Sequence, residues 1–260
     1  MEFKILTSHL LADFTKKLIE SPLDTLGRVE KVEIIVDYFQ FYKSVSSVYS
    51  SKIEGEDIDF DSYFKHKFLN VKFRPDYTRK ADDLYAAYDF IDNHTLTLNN
   101  VQKAHSILSS KLLPKSQQGR IRTNPMFVIN SDDKIEYVAA GPEIVKEEIE
   151  KLFEDINLLT KKNLSPFEVF YYAALIHLVF VKIHPFQDGN GRTARLIEKW
   201  FLVERIGQIA SSVQLEKNYY TNIKHYYSNI KKLGLEYTDL DYTKSLDFLL
   251  MTVNGIKNGK

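Results

Sequence analysis

The chain carries, at residues 184–195, the stretch His-Pro-Phe-Gln-Asp-Gly-Asn-Gly-Arg-Thr-Ala-Arg, which lies between two apolar segments. Upstream, Ser165-Pro166-Phe167-Glu168 is typical of a capping box with proline at the first helical position. Residues 169–183 are apolar nearly all round, as in a helix at the centre of a core, and Pro185 ends that helix. Residues 193–204 predict a second helix. The stretch is therefore a tight loop that leads into a helix N-terminus.

The residues of this loop have the chemistry of a polyphosphate site. Gly189 and Gly191 let a ligand approach the main chain, and the free N–H groups of the first helical turn attract anions. Arg192 and Arg195 share a face of the helix, where each cation opposes the helix dipole by about 0.3–1 kcal/mol. A bound polyphosphate would turn that penalty into an attraction through bidentate hydrogen bonds.

Two further residues of the loop predict a metal ligand and a base. Asp188 can hold a hard cation such as Mg²⁺, which typically takes one or two carboxylates together with phosphate oxygens. His184 stands at the entrance to the loop and can accept a proton near neutral pH. The loop therefore predicts a nucleotide site with its own base.

Each of these residues also has a simpler explanation. A single histidine after a buried helix is more often structural than catalytic, and the glycines of a short loop can serve only the turn. The two arginines could pair with a nearby carboxylate such as Glu198. All of these explanations would have to hold together within twelve residues, so we favour the nucleotide site.

The motif His-Pro-Phe-x-Asp-Gly-Asn-Gly-Arg-x-x-Arg resembles, without a departure, the signature of the Fic family, also called Fic/Doc or Fido. Residues 174–183 also resemble the core helix of that family. The resemblance implies a mainly α fold, a Fic-type helical bundle with one small β-hairpin flap. It also implies a protein adenylyltransferase that moves AMP from ATP to a Ser, Thr or Tyr hydroxyl of a target protein.

The resemblance assigns a role to each residue of the motif. His184 would be the catalytic base, and Asp188 would hold Mg²⁺. The phosphates of ATP would be bound by a set of loop and helix residues, namely Gly189, Asn190, Gly191, Arg192 and Arg195. By the same resemblance, glycine at position 191 implies AMP transfer rather than phosphate transfer, because relatives with lysine there transfer a phosphate.

A second segment, Ser50 to Gly55, ends a helix predicted over residues 29–53, with Gly55 as the C′ glycine. Locally, Glu54 is most simply a surface residue beside Lys52. Ser50-x-x-x-Glu54-Gly55 nevertheless resembles the inhibitory motif of the Fic family. That resemblance implies that Glu54 pairs with Arg195, keeps the γ-phosphate out of its productive place and holds resting activity low.

A β-hairpin is predicted by the β-prone runs 126–129 and 135–138 around the turn Asn130–Lys134. An ordinary surface hairpin would explain this pattern equally well. The resemblance implies that residues 120–140 form a flap, which docks the target segment by strand addition. The candidate docking residues are Arg122, Pro125, Met126, Phe127 and Val128.

Further helices are predicted over residues 79–92, 97–113, 141–159, 216–232 and 242–253 and, near the N-terminus, 3–20. Residues 57–78 are mixed and charged, with room for a short helix. Tyr226 and Tyr227 read as core aromatics, although in the family this region can border the adenine. We divide the chain into an N-terminal helical region, residues 1–49, packed on a Fic domain, residues 50–254.

The amino-acid composition indicates which classes of partner and which cellular compartment to expect. The formal net charge is zero, which gives no electrostatic reason to expect nucleic acid or an anionic membrane. The chain has no cysteine, which excludes disulfides and thiol catalysis and suits a reducing compartment. The N-terminal residues lack the apolar run of a signal peptide, so we expect a soluble, cytoplasmic protein. The resemblance also allows self-association.

Two other functions remain open at this point. The chain could act chiefly as a phosphodiesterase that removes AMP from modified protein, with Glu54 placing a water. It could also be a regulatory binding module in which the nucleotide switches a partner surface.

Overall fold

The computed structural model describes residues 2–28, 36–129 and 133–257. Its regular elements confirm the prediction of a mainly α protein with one small β-hairpin. The helices are α1 (Leu11–Lys17), α2 (Pro22–Gly27), α3 (Tyr38–Ile53), α4 (Phe60–Leu69), α5 (Pro75–Ile91), α6 (Leu98–Leu108), α7 (Val145–Thr160), α8 (Pro166–Ile183), α9 (Asn190–Ile206), α10 (Leu215–Thr221), α11 (Ile223–Lys231) and α12 (Leu246–Lys257). The strands are β1 (Phe127–Ile129) and β2 (Ile135–Val138).

Helix α8 is the centre of the fold, with 14 of its 18 residues buried. It begins with the predicted capping box, in which Ser165 Oγ accepts from the Glu168 N–H and the Glu168 carboxylate accepts from the Ser165 N–H. It packs against α7, α9 and α12. By length and composition α8 could cross a membrane, but 78% of it is buried inside this fold, as in the core helix of a globular protein.

The N-terminal segment corrects the prediction of one helix over residues 3–20, because α1 begins only at Leu11. The main-chain N–H groups of Lys4, Ile5 and Leu6 each donate to the buried carboxylate of Asp155 at 2.8 Å. Since those groups are satisfied by a side chain, they do not enter a helical ladder. Asp155 lies about 150 residues away, so no local pattern predicts this contact.

Helix α3 begins at Tyr38, where the Asp37 carboxylate caps it by accepting two main-chain N–H bonds at 3.0 Å. The first part of the predicted helix, residues 29–35, lies outside the described residues. Helix α3 runs without a break through positions 49 and 50, where the sequence suggested a boundary. Leu6, Phe14 and Leu26 also belong to the same hydrophobic core as α8. The division at residue 49 stays a prediction.

Three other predicted helices have different bounds. The helix predicted over 97–113 is α6, which ends at Leu108. The helix predicted from Gly141 begins at Val145. The one predicted over 216–232 is divided into α10 and α11 at Asn222, whose amide donates to the Asn218 carbonyl at 3.0 Å. Asparagine competes with the helical ladder in this way.

The hairpin pairs β1 with β2 in antiparallel register, Phe127 opposite Val138 and Val128 opposite Tyr137. The turn predicted at Asn130–Lys134 lies mostly outside the described residues. On its other side, β2 is tied to the C-terminal part by the Val138 N–H, which donates to the Leu235 carbonyl at 2.8 Å. The Tyr137 hydroxyl of β2 donates to the Lys182 carbonyl of α8 at 2.7 Å, so the hairpin lies between α8 and the segment after α11.

Candidate active site

His184 ends α8 in the left-handed conformation, with φ 55° and ψ 59°. A residue other than glycine adopts this conformation rarely, so its surroundings must hold it. Its N–H donates to the Phe180 carbonyl at 3.0 Å, and its carbonyl accepts from Arg122 Nε at 2.7 Å. The predicted base is therefore fixed by the helix on one side and by a buried guanidinium on the other.

The ring of His184 has a defined tautomer. Its Nδ1 lies 3.1 Å from the Val181 carbonyl oxygen, which can only accept, so Nδ1 carries the proton. Burial lowers the pKa of His184 below its ordinary value, although the hydrogen bond to Val181 acts in the opposite direction. The neutral ring therefore presents an unprotonated Nε2, which can take up a proton.

Asn190 closes the loop after His184 from the inside. Its Oδ1 accepts from the Phe186 N–H and its Nδ2 donates to the Phe186 carbonyl, both at 2.8 Å. Gly189, with φ 76°, precedes the helix in a conformation that favours glycine. The side chain of Asn190 is 2% exposed, so it serves to fold the loop, while its main-chain N–H opens α9.

Asp188, the predicted metal ligand, is exposed on this loop, and its Oδ1 accepts from the Gly189 N–H at 2.5 Å. Within residues 2–28, 36–129 and 133–257, no group of three or more His, Cys, Asp or Glu is arranged to hold a metal ion. Asp188 thus offers one carboxylate. A single carboxylate is too few ligands for a metal site built from protein groups alone. It suits Mg²⁺ that is also bound by the phosphates of a nucleotide.

The start of α9 supplies an anion site. The first bond of its ladder runs from the Thr193 N–H to the Gly189 carbonyl at 2.9 Å, so the N–H groups of residues 190–192 precede the ladder. Arg192 and Arg195 are 4% and 1% exposed. In the part of the chain that the structure describes, the buried Nε of Arg192 has no hydrogen-bond partner. An unsatisfied guanidinium N–H at a helix N-terminus suits an anionic ligand.

The segment at the end of α3 contacts Arg195, as the resemblance to the Fic family implies. Arg195 Nη2 donates to Glu54 Oε1 at 2.6 Å and to the Ser50 carbonyl at 3.2 Å, and its Nε donates to Ser50 Oγ at 2.9 Å. Gly55 follows with φ 85°, the conformation expected of a C′ glycine. One turn of α3 therefore holds Arg195 through two residues.

The charge on Glu54 is stabilised by this contact. Burial alone would raise the pKa of Glu54, but Arg195 and Arg192 outweigh it and hold the pKa below its ordinary value. Gly191 makes room for the carboxylate, since a Cβ there would lie 2.7 Å from Glu54 Oε1. The side chain of Glu54 is 27% exposed, so the pair lies at the edge of the interior.

A second acid lies beside the first motif arginine. Glu56 Oε1 is 3.7 Å from Arg192 Nη2 and 2.5 Å from Lys80 Nζ. Sequence reasoning missed Glu56, because an acid in the charged segment after Gly55 reads as an ordinary surface residue. The two motif arginines of α9 thus each face a carboxylate from the segment that directly follows α3.

A chain of buried hydrogen bonds lies behind Arg195. Arg195 Nη1 donates to the Tyr226 hydroxyl at 3.3 Å, and that hydroxyl is 3.0 Å from His177 Nε2. His177 Nδ1 lies 2.6 Å from Glu198, and since a carboxylate only accepts, Nδ1 is the donor; in the neutral ring Nε2 then accepts from Tyr226. Tyr219 also donates to Glu198, at 2.8 Å. Glu198 therefore does not pair with either arginine, contrary to the simpler explanation considered above.

Sequence reasoning missed the role of His177. A histidine in an otherwise apolar core helix was the signal that could have found it, because a buried polar group needs a partner. Tyr226 is only 1% exposed and holds Arg195, whereas Tyr227 is 40% exposed and donates to the Ile53 carbonyl at 3.2 Å. Of the two suggested adenine neighbours, Tyr227 is thus the one with an accessible ring.

A cavity of about 210 Å³ connects these groups. It is lined by Glu54, Val128, Glu136, Tyr137, Val181, Lys182, His184, Gly191, Arg195, Tyr226, Tyr227, Ile230 and Lys231. Two larger surface grooves, of about 840 and 590 Å³, contain none of the predicted site residues. We therefore assign the site by its chemistry rather than by its size.

The prediction of a docking surface is wrong at Arg122. It is 5% exposed, and its guanidinium donates inward to main-chain carbonyls of His184, Asn124 and Ala140. It therefore braces the loop and is not free to contact a target. Pro125 and Phe127 are exposed, Met126 is half-buried, and Val128 lines the cavity.

The chain is similar to known proteins in sequence and in fold. Residues 95–202 match the model of the Fic/DOC family, which takes in the hairpin and residues 184–195 but not Ser50–Gly55. The chain is similar to "Protein adenylyltransferase fic-1" of Caenorhabditis elegans, 29% identical over 131 residues, which cover 50% of this chain and 21% of that protein. It is 37% identical over 109 residues to "Protein adenylyltransferase Fic" of Nematostella vectensis, covering 40% of this chain and 22% of that protein.

Solved structures share the fold. A Fic family protein from Desulfovibrio desulfuricans G20 superposes with a TM-score of 0.77 at 16% identity, covering 99% of this chain and 76% of that chain. Fic-1 from C. elegans gives 0.67 at 17% identity, covering 97% and 72%. The chain spans about a fifth of the length of the curated relatives it matches. Residues 95–202, which contain the intact motif at 184–195, therefore match the Fic/DOC family, and the chain shares the helical fold of a solved Fic family protein.

Proposed function

We propose that this chain is a protein adenylyltransferase, which transfers AMP from ATP to a hydroxyl of a target protein and is inhibited at rest by Glu54. The observation that carries the proposal is the neutral His184, whose Nε2 is unprotonated, in the same cavity as Arg195 at the start of α9. The names of the curated relatives support the same reaction.

The phosphates of ATP would lie over the start of α9. The N–H groups of residues 190–192 and the orphaned Nε of Arg192 are donors for them, and a helix N-terminus stabilises charge that grows there during the reaction. Mg²⁺, when bound by Asp188 together with the phosphates, would neutralise part of that charge. Arg195 would hold the γ-phosphate, with its guanidinium kept in place by Tyr226.

The transfer step needs one base and one leaving group. The target hydroxyl oxygen forms a bond to the α-phosphorus, while its proton passes to His184 Nε2. The bond between the α-phosphorus and the bridging oxygen breaks, and pyrophosphate leaves with that electron pair. Positioning and electrostatics supply most of the acceleration in such chemistry.

The hairpin is the proposed docking site for the target. Strand β2 is bonded to β1 on one side and to the Leu235 carbonyl on the other, which leaves β1 at the outer edge of the described pair. Phe127 and Ile129 are 46% and 56% exposed on that strand. An added strand would pair with the main chain of β1, so recognition would depend little on the side chains of the target.

Inhibition follows from the position of Glu54. Its carboxylate holds the Arg195 guanidinium that the γ-phosphate would need, and it approaches Gly191 closely. The cavity of about 210 Å³ is smaller than the roughly 300–1,000 Å³ usual for small-molecule sites, which is consistent with a site partly filled by a side chain. ATP would therefore bind productively only after Glu54 moves away.

Incubation of the purified chain with ATP labelled on the α-phosphate, Mg²⁺ and cell lysate tests the proposal. Glu54→Gly should raise labelling of protein by about 10- to 100-fold, the usual size of a coupling between sites. In that background His184→Ala should lower labelling by about 10²–10⁴-fold without loss of ATP binding. Asp57→Gly, which places glycine at an exposed neighbouring position, is the control and should leave labelling unchanged. Labelling that persists without His184 would count against it as the base.

A second candidate is the removal of AMP from modified protein. Glu54 and His184 line the same cavity, so the carboxylate could orient a water toward a bound phosphodiester. In that case the wild-type chain would release label from pre-modified protein and Glu54→Gly would not. Binding of ATP with neither transfer nor release would instead indicate a nucleotide-dependent binding module.

A further inference from the structure

His105 is a buried histidine near the end of α6 that the proposed mechanism does not use. Its side chain lies between two segments that are distant in sequence, the turn at Gly119 and the loop at Asp188. The residue is 0% exposed, and on sequence alone it is interpreted as a core or boundary histidine.

Both ring nitrogens of His105 have defined partners. The Gly119 N–H donates to Nδ1 at 2.8 Å, so Nδ1 is an acceptor and carries no proton. The proton is therefore on Nε2, which donates to the main-chain carbonyl of Asp188 at 2.9 Å. Burial lowers the pKa of His105 to about 4, so the ring keeps this neutral form at physiological pH.

The ring also contacts the loop by packing. It stacks on Phe186 with ring centroids 3.7 Å apart and an interplanar angle of 17°. A Cβ on Gly189 would lie 3.4 Å from His105 Nε2, so the main chain passes close to the ring. On the other side, a Cβ on Gly119 would lie 2.4 Å from the Gln102 carbonyl oxygen. Two glycines thus let their segments approach the same helix closely.

The Asp188 loop is consequently held from two sides. Asn190 fixes the main chain of Phe186 from within the loop, and His105 fixes the carbonyl of Asp188 from outside it. The carboxylate of Asp188 is itself exposed, so its place depends on the main chain that carries it. Groups that orient a metal ligand in this way typically change metal affinity by 10- to 100-fold when they are lost.

We propose that His105 is a positioning residue that holds the main chain of Asp188, and thereby sets how well this carboxylate binds a divalent cation with a nucleotide. The proposal rests on the proposed function, because it takes Asp188 as the ligand of the metal–nucleotide complex. It adds a requirement to the site: the Gly119–His105–Asp188 chain of hydrogen bonds must be intact.

Two variants of His105 separate packing from hydrogen bonding, both made in the Glu54→Gly background. His105→Phe keeps a ring to stack on Phe186 but has no polar atoms. His105→Gln keeps an amide that can accept from Gly119 and donate to Asp188. His94→Phe is the matched control, since the His94 ring also stacks on a phenylalanine at 3.7 Å but contacts Phe90 and not this loop.

The readout is binding of Mn²⁺ in the presence of a non-hydrolysable ATP analogue, followed by electron paramagnetic resonance of the free ion. His105→Phe should raise the half-saturating Mn²⁺ concentration by about 10-fold or more, and His105→Gln should recover most of that loss. His94→Phe should bind as the parent does. With Mg²⁺, His105→Phe should require more metal for half-maximal transfer while saturating metal restores most of the rate.

Equal Mn²⁺ binding by the parent and His105→Phe would overturn the proposal, as would a parent that binds no Mn²⁺ with the analogue. If His105→Phe does not fold, the wild-type chain still decides, because ¹⁵N NMR of His105 should show the Nε2-protonated tautomer. A proton on Nδ1 would overturn the proposal. A parent that binds Mn²⁺ and the analogue but transfers no AMP would refute the proposed function alone.

Discussion

Arg195 is held by two regions of very different character. In front of it lies the end of α3, where the Glu54 side chain is 27% exposed. Behind it lies the chain of Tyr226, His177 and Glu198, in which each residue is at most 1% exposed. A contact at the edge of the interior can be exchanged for a ligand or for water, whereas a contact inside the core cannot. The difference fits the regulatory role that we propose for the front contact, and it gives the rear contact a structural role.

Loss of the hydrogen bonds to Glu198, behind Arg195, should have the largest effect on the stability of the fold. Glu198→Gln replaces a carboxylate that accepts hydrogen bonds from His177, Tyr219 and Thr252 with an amide that cannot accept them all. We expect the free energy of unfolding to fall by about 3 kcal/mol, because buried donors lose their acceptor. Urea denaturation followed by circular dichroism measures this.

Glu150→Gln is the matched control, since Glu150 belongs to a surface pair with Lys146 at 4.0 Å. Its free energy of unfolding should change by less than about 0.5 kcal/mol. A Glu198→Gln variant as stable as this control would remove the distinction between a structural rear and a regulatory front.

A smaller effect is expected where the two regions meet, at Tyr226. In the Glu54→Gly background, Tyr226→Phe keeps the ring but removes the hydroxyl that accepts from Arg195 and donates to His177. We expect a loss of about 1 kcal/mol in stability and, because Arg195 is less well placed, a rise of about 5- to 10-fold in the KM for ATP.

Tyr219→Phe is the matched control for Tyr226→Phe. It also removes a buried hydroxyl bonded to Glu198, and no hydrogen bond from that hydroxyl to Arg195 occurs among the described residues. It should therefore lose similar stability and leave the KM for ATP nearly unchanged. An equal rise of KM in both variants would mean that the effect is general loosening of the core.

The smallest effect on activity should come from substitution of Glu56, the acid beside Arg192. It lies 3.7 Å from Arg192 and pairs more closely with Lys80, and such partly exposed pairs contribute little. Glu56→Gln should raise labelling of protein by about 2- to 3-fold in the assay with labelled ATP. Asp57→Asn, at the next and exposed position, should have no effect. An increase as large as that of Glu54→Gly would make Glu56 an equal partner in inhibition.

Much of the site could be predicted from the chain itself. The bounds of α8, its capping box, its end at His184 and the left-handed glycines follow from rules that span four or five residues. The predicted contact between Glu54 and Arg195 is also present, but only the resemblance to a family had singled it out, since the two residues are 141 positions apart. Local reasoning alone favoured a surface glutamate.

The misses have a common cause. Arg122 was taken for a docking residue but is buried, since its hydrogen bonds go to carbonyls up to 62 residues away. The predicted helix over residues 3–20 begins late because Asp155 takes the N–H groups of residues 4–6. In each case a distant polar group determined the outcome, and no window of local sequence contains both partners.

By itself, the sequence determined the central apolar helix, the turn that follows it and the types of group that the turn presents, because helix caps, prolines and glycines act on their immediate neighbours. Only the tertiary structure decided which polar groups hold those residues in place: His105 on Asp188, Tyr226 and Glu54 on Arg195, and Arg122 on His184. Buried polar groups must find partners wherever the packing of helices brings them, and packing joins residues that are far apart in the chain.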